Sequence, residues 1–334
     1  MSHPIAFPPG GAAPLDLEVT WNNGTDLEEP PAQIHYLGKH TVVIRQSLRT
    51  SAEAPFVVLL FGNERAFLLD TGDERDPSVW PLRPIIDELA SSWLSSHPRE
   101  GYGLTVAHTH AHTDHTAGDT QFTDRPRTTL VAAEVDDVRE FFGLDDWPNG
   151  SATVDLGGRR LEVVPSPGHH ESAISVLDPY SGFLFSGDTI YPGRLYVSDM
   201  EAFLATIDRL AELSKSGEIS HVLGCHIELD CDGRDYPLGA REHPMEVSPF
   251  MPAGRLVAIR DAARTVADSP GVHWFDGFVI YNGYRFRDQV GLVLRSWRSR
   301  LRSSSGWDIS QSTSISRPDA KMLEGRSVYP DHRE

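Results

Sequence analysis

Short runs of apolar, β-branched and aromatic residues, separated by tight polar turns, mark the first ordered part of the chain. Residues 34–36, 41–46, 56–61 and 66–69 read as strands on this pattern. The period then changes. Residues 79–94 place apolar side chains at helical spacing, which predicts a helix. Strands follow at 104–107 and 128–132. Residues 134–142 read as a helix with acids in its first turn, where the helix dipole favours them. Three further strands are expected at 161–164, 173–177 and 183–185. Residues 200–213 form an amphipathic pattern that Ser198 or Asp199 would cap. A strand at 220–223, a helix at 256–267 and strand-like stretches at 277–280 and 290–294 complete the series.

Strands followed by helices, in two similar halves, suit an α/β layered sandwich with helices outside two sheets. Residues 1–32, rich in Pro and Gly, read as an extended N-terminal arm. Residues 33–300 read as one domain, and the Ser-rich 301–334 as a flexible C-terminal tail. No internal repeat of fixed period is visible.

Composition narrows the partners. Lys and Arg total 30 against 48 Asp and Glu, a formal net charge of -18. So acidic a surface repels phosphate backbones, and no nucleic-acid partner is expected. No apolar run reaches the ~20 residues of a membrane-spanning helix, so no membrane partner is expected either. The first fifteen residues show no basic stretch followed by an apolar block. The two cysteines, Cys225 and Cys231, form neither a CxxC pair nor a disulfide framework. Both features lead to the expectation of a cytoplasmic protein acting on a small-molecule substrate. The arm and the apolar stretch at 272–280 could mediate a homodimer or cap the core.

The chemistry concentrates at Thr109-His110-Ala111-His112-Thr113-Asp114-His115, directly after the strand ending at Ala107. Three histidines and an aspartate within six residues are a dense set of metal ligands. On an extended segment His110 and His112 point the same way, and Asp114 and His115 can turn towards a second ion. His108, just before them, reads as a packing residue at the strand end. One cluster cannot fill two coordination spheres. Three isolated candidates follow later strands: His169 after Gly168, Asp188 after Gly187, and His226 shortly after Gly224. Glycine there permits a sharp turn and a close backbone approach.

With these residues the chain resembles the metallo-β-lactamase-fold hydrolases. The resemblance rests on the HxHxDH motif at His110, His112, Asp114 and His115. It is extended by the Gly-His, Gly-Asp and final His signatures at His169, Asp188 and His226. An Asp-Thr-Gly turn at Asp70, Thr71 and Gly72 also matches, and the likeness covers roughly residues 33 to 230. It implies an αββα sandwich and two divalent metal ions, read as zinc, with iron or manganese accepted by the same ligands. His110, His112 and His169 would hold the first ion; Asp114, His115 and His226 the second; Asp188 would bridge them. His169 is preferred to its neighbour His170 because it follows Gly168 directly.

The resemblance also implies a reaction. A metal-bridging hydroxide, held and oriented by Asp114, would cleave an ester, lactone or thioester. Two carboxylates and a hydroxide leave two divalent ions net positive, as an oxyanion requires. Glyoxalase-II-like thioesterases, lactonases and tRNA-processing nucleases share the seven-ligand set, and the acidic charge disfavours the nucleases. The best-known β-lactamase class uses a cysteine ligand that no residue near Asp188 supplies. Flavin-linked diiron members carry Glu where His112 stands. Persulfide-type iron dioxygenases and non-hydrolytic tailoring enzymes or lyases are the alternative readings. Tyr191, three residues after Asp188, matches a tyrosine that contacts the substrate carbonyl in homoserine-lactone lactonases, or is an ordinary loop residue. Residues 228–252 depart from the family core. They are expected to fold over the metal mouth, with Glu228 and His243 orienting ligand imidazoles, or to form a surface connector.

Overall fold

A computed structural model of the chain describes residues 3–12 and 14–283. The expected strand at 290–294 and the expected tail at 301–334 lie outside the described residues.

The first half builds one sheet. Its strands are β1 (Ala32–Gly38), β2 (Thr41–Gln46), β3 (Phe56–Phe61), β4 (Arg65–Leu69), β5 (Gly103–Ala107) and β6 (Thr128–Leu130). They lie in chain order, antiparallel from β1 to β4 and parallel from β4 to β6. Helix α1 (Leu82–Ser96) connects β4 to β5, as a parallel pair requires. The one-turn helix α2 (Thr113–Thr116) follows β5, and α3 (Val135–Phe142) follows β6.

The second half builds the facing sheet. Its strands are β7 (Ala152–Asp155), β8 (Arg160–Pro165), β9 (Ile174–Asp178) and β10 (Phe183–Gly187). Next come β11 (Arg194–Val197), helix α4 (Met200–Leu213), β12 (His221–Gly224), β13 (Phe250–Pro252) and helix α5 (Gly254–Val266). The sheet runs β13-β12-β10-β9-β8-β7, with only β10 and β12 parallel. β14 (Gly271–Phe275) and β15 (Phe278–Asn282) join β11 in a separate three-stranded sheet.

Alternation along the strands creates the layers. Val43, Val58, Leu60, Phe67 and Leu69 of the first sheet meet Val163, Val176, Phe183 and Phe185 of the second in a shared core. The opposite faces are covered by helices. Val42, Ile44, Val57 and Leu59 pack against Ile86, Leu89 and Trp93 of α1. Leu177, Leu184 and Val222 pack against Phe203, Ile207 and Leu210 of α4 and Ile259 and Ala263 of α5. The order helix, sheet, sheet, helix is an αββα sandwich. Because both faces of the sheets are covered, β3 reads Phe-Val-Val-Leu-Leu-Phe and is buried throughout.

Local signals explain the helix ends. Asp199 caps α4: its side chain accepts the Ala202 N–H at 3.0 Å. The buried positions of α4, Phe203, Thr206, Ile207, Leu210 and Ala211, keep the i, i+3, i+4 spacing. α1 begins at Leu82 and not at residue 79, because Val79 and Trp80 form a turn before Pro81. Three short strands carried too little pattern to be read: β7, β11 and β13.

The arm packs back onto the sandwich. Trp21 is buried edge-on against Phe56 and near Phe250. The 228–252 segment is tied to the same region. Arg45 of β2 grips Glu246 through two hydrogen bonds of 2.6 Å, with both side chains buried. Arg241 donates to the carbonyl of Arg49 at 3.0 Å.

Candidate metal centre

The seven residues expected as ligands lie on four turns, each following a strand, at one end of the sandwich. The turn after β5 carries His110 and His112. His112 itself is extended, with φ −66° and ψ 152°, and caps α2. The helical turn then brings Asp114 and His115 round to a different direction. The turn after β8 carries His169, β10 ends at Gly187 before Asp188, and β12 ends at Gly224 before Cys225 and His226.

Two of these turns require glycine. Gly168 has φ 139°, and a Cβ there would meet the Phe203 Cα at 2.6 Å. Gly187 has φ 54°, and a Cβ there would meet the Thr109 Cβ at 2.6 Å. Each glycine lets a ligand-bearing turn press against a neighbouring element.

The turns bring the residues together in two sets. In the first, His112 Nδ1 lies 2.9 Å from His110 Nε2 and 3.1 Å from His169 Nε2. His170 does not join it; its Nδ1 pairs with the Ser172 hydroxyl at 3.0 Å. In the second, Asp114 Oδ2 lies 3.2 Å from His115 Nε2 and 3.4 Å from His226 Nε2. Asp188 Oδ1 lies 3.5 Å from His115 Nε2 and 3.2 Å from His226 Nε2. The other oxygen of Asp188 faces His169 Nε2 at 3.7 Å, so this carboxylate addresses both sets.

His115 Nε2, His226 Nε2 and Asp188 Oδ1 are buried and have no hydrogen-bond partner. Leaving such atoms unpaired is costly unless something else compensates them. Lone pairs of imidazole and carboxylate converging on one point are the donor set of a divalent cation. The residues present therefore fit a metal in each set.

Electrostatics separates the two sets. Burial holds the His110 pKa well below its usual value, and burial with the neighbouring His169 pulls His112 down to about 4. Both imidazoles are thus neutral and ready to coordinate. In the second set burial lowers His115 and His226, but the carboxylates outweigh it. Asp114, Asp70 and Asp188 hold His115 well above its usual value, and Asp188 and Asp114 do the same for His226. Burial pushes Asp114 and Asp188 up, and the imidazoles bring both well below the ordinary carboxylate range. The second set attracts positive charge, which protons supply in the metal-free protein.

The outer nitrogens of four imidazoles are fixed. His110 Nδ1 faces Thr109 Oγ1 at 3.1 Å and His115 Nδ1 faces Asp70 Oδ2 at 3.0 Å. His169 Nδ1 faces the Tyr196 carbonyl and His226 Nδ1 the Glu53 carbonyl, both at 2.8 Å. Such contacts set which nitrogen carries the proton and orient the ring. The sequence showed Asp70 within its Asp-Thr-Gly turn but not this role, and Thr109 and Glu53 gave no signal.

Three further candidate residues are engaged elsewhere. Tyr191 is fully buried and its hydroxyl donates to the Arg194 carbonyl, while its ring packs edge-on against His226. In this arrangement it packs beside the site, with its hydroxyl taken by a backbone carbonyl. Glu228 does not orient an imidazole: Arg194 occupies it through a 2.7 Å ion pair and its own N–H at 2.6 Å. His243 stacks on Tyr236 at 4.1 Å and faces Glu246. Polar side chains of the 228–252 segment reach Arg45, Arg194 and the chain just after β2, while Phe250 packs against Trp21 and Phe183. His108 is held by Asp119 at 2.8 Å, as a packing residue would be. Both cysteines are free thiols; Cys225 is buried and Cys231 exposed.

The comparisons agree with this arrangement. A family model described as "Metallo-beta-lactamase superfamily" matches residues 104–215, the stretch that holds His110 to His115, His169 and Asp188. The chain is 30% identical over 148 residues to a hydroxyacylglutathione hydrolase of Synechococcus sp. (strain JA-3-3Ab), covering 43% of this chain and 55% of that protein. It is 27% identical over 228 residues to the acyl-coenzyme A thioesterase MBLAC2 of Homo sapiens, covering 57% and 79% respectively. The match thus spans about half the length of the first of these relatives. A solved metallo-beta-lactamase from Pontibacter korlensis is 16% identical, with a TM-score of 0.48 over 70% of this chain and 99% of that one. Over the stretch that holds its HxHxDH turn and the later Gly-His and Gly-Asp turns, the chain is similar to the metallo-beta-lactamase superfamily.

Proposed function

We propose that the protein is a metal-dependent hydrolase that cleaves a thioester, ester or lactone of a small molecule, using the seven residues as a two-ion centre. One observation carries the reading: Asp188 presents one oxygen to His226 and the other to His169. That is the geometry a carboxylate shared by two sites needs.

Divalent ions in such a centre act as Lewis acids and lower the pKa of water to about 7. The residues of the chain do the rest. His110, His112 and His169 supply three ring nitrogens that converge on one point. Asp114, only partly buried, is turned by His115 and His226 so that one oxygen faces the second set. Its carboxylate can orient an attacking water and accept its proton. His112 lies at the exposed side of the first set, where a substrate would enter.

The names of the curated relatives favour a thioester among the three bonds. Among the described residues no helix is long and apolar enough to cross a membrane, and the proposed location remains the cytoplasm. The reading is tested by thiol release from simple S-acyl thioesters, with Asp114→Ala as the comparison. Release by the metal-loaded protein, lost in the variant, supports it; equal rates in both would refute the role given to Asp114.

A further inference from the structure

Asp70 directly follows β4 and is completely buried. Its backbone is left-handed, with φ 68°, a conformation that non-glycine residues adopt at some cost. Donors surround the carboxylate. Oδ1 accepts the Thr109 N–H at 2.7 Å. Oδ2 lies 3.0 Å from Thr109 Oγ1, 3.0 Å from His115 Nδ1 and 3.2 Å from Cys225 Sγ. Thr109 and Asp70 already orient ligand imidazoles, which leaves the thiol as the member of this ring with no part assigned.

Its place is fixed from both sheets. The Phe56 N–H, in β3, donates to the Cys225 carbonyl at 2.8 Å. The Cys225 N–H donates to the Gly187 carbonyl, at the end of β10, at 3.2 Å. The buried Cys225 thiol thus faces the carboxylate as a donor. With three donors on one oxygen, the carboxylate cannot rotate without losing them. Its orientation holds the His115 ring with Nδ1 on Asp70 and Nε2 facing Asp114 and Asp188.

We propose that Cys225 is a positioning residue, whose thiol holds Asp70 and, through Asp70, the imidazole of His115 in the orientation that the second metal set requires. The inference rests on the two-ion reading above.

The test is a zinc titration against a chromophoric chelator, run on the natural chain, Cys225→Ala and Cys225→Ser. Alanine and serine are both smaller than cysteine and lose similar packing, but only serine keeps a donor. The expected result is that Cys225→Ala weakens the second equivalent by about 10–100-fold, the range for lost outer partners of a metal ligand. The first equivalent is unchanged, and Cys225→Ser recovers most of the loss. Natural affinity for the second equivalent in Cys225→Ala, or equal loss in both variants, overturns the role of the thiol and leaves the two-ion reading intact. A natural chain that takes up fewer than two equivalents overturns that reading, and this proposal with it.

Discussion

Asp188 Oδ1 lies 3.2 Å from His226 Nε2, and both atoms are buried without a hydrogen-bond partner. A shared cation would compensate both atoms. Replacing Asp188 by Ala or Asn should therefore reduce zinc uptake from two equivalents towards one. Hydrolysis should fall by more than the 10–100-fold typical of outer-shell changes. Elemental analysis after dialysis, beside a rate measurement, checks both. Full metal content with full activity would contradict the bridging role.

The two sets should differ in their response to pH. His110 and His112 have lowered pKa values, so these two imidazoles are free of protons at and above about pH 5. His115 and His226 are held above their usual values by carboxylates, so they carry protons that a metal must displace. Affinity at the second set should thus rise with pH, by about tenfold per unit for each proton displaced. Chelator competition at pH 5.5 and 8 should show a steeper rise for the second equivalent than for the first. Equal slopes would count against this division.

Gly168→Ala should strain the turn that carries His169. The backbone has φ 139°, and the new Cβ would meet Phe203 Cα at 2.6 Å. A cost of order 1–3 kcal/mol is expected from the backbone conformation alone. Chemical denaturation should show the loss, and the first metal equivalent should weaken with it. An unchanged midpoint would mean that α4 yields more easily than its packing suggests.

Tyr191→Phe removes the hydroxyl that donates to the Arg194 carbonyl. Stability should fall by about 0.5–1.5 kcal/mol, the usual net worth of a hydrogen bond. The rate constant kcat should stay close to that of the natural chain. A hundredfold loss of kcat, about 2.7 kcal/mol of barrier, would return Tyr191 to the chemistry.

Much of this centre was legible because metal ligands are chemically scarce and their spacing is short. His110, His112, Asp114 and His115 stand within one turn of chain, and Gly168 and Gly187 announce the turns that bring in His169 and Asp188. The layers followed from period: β3 is continuously apolar and α4 is amphipathic. What failed to show was direction. The position of Tyr191 in sequence says nothing about which way its hydroxyl points, and a carbonyl three residues on captured it. Glu228 and His243 looked available until Arg194 and Glu246 were seen to hold them. Asp70 and Cys225 are separated by 155 residues, and their contact exists only because the two sheets meet there. β7, β11 and β13 have at most four residues each, too few for a period to stand out.

The central claim is hydrolysis at a two-ion centre. The most direct test is acid release in a pH-stat, with the metal-loaded protein offered thioesters, lactones, aryl esters and a β-lactam, and His110→Ala as the blank. The account predicts rapid metal-dependent acid release on the thioester, lactone or aryl ester, absent in the blank and after chelation. No release across the panel, with two equivalents of metal confirmed in the protein, would contradict it.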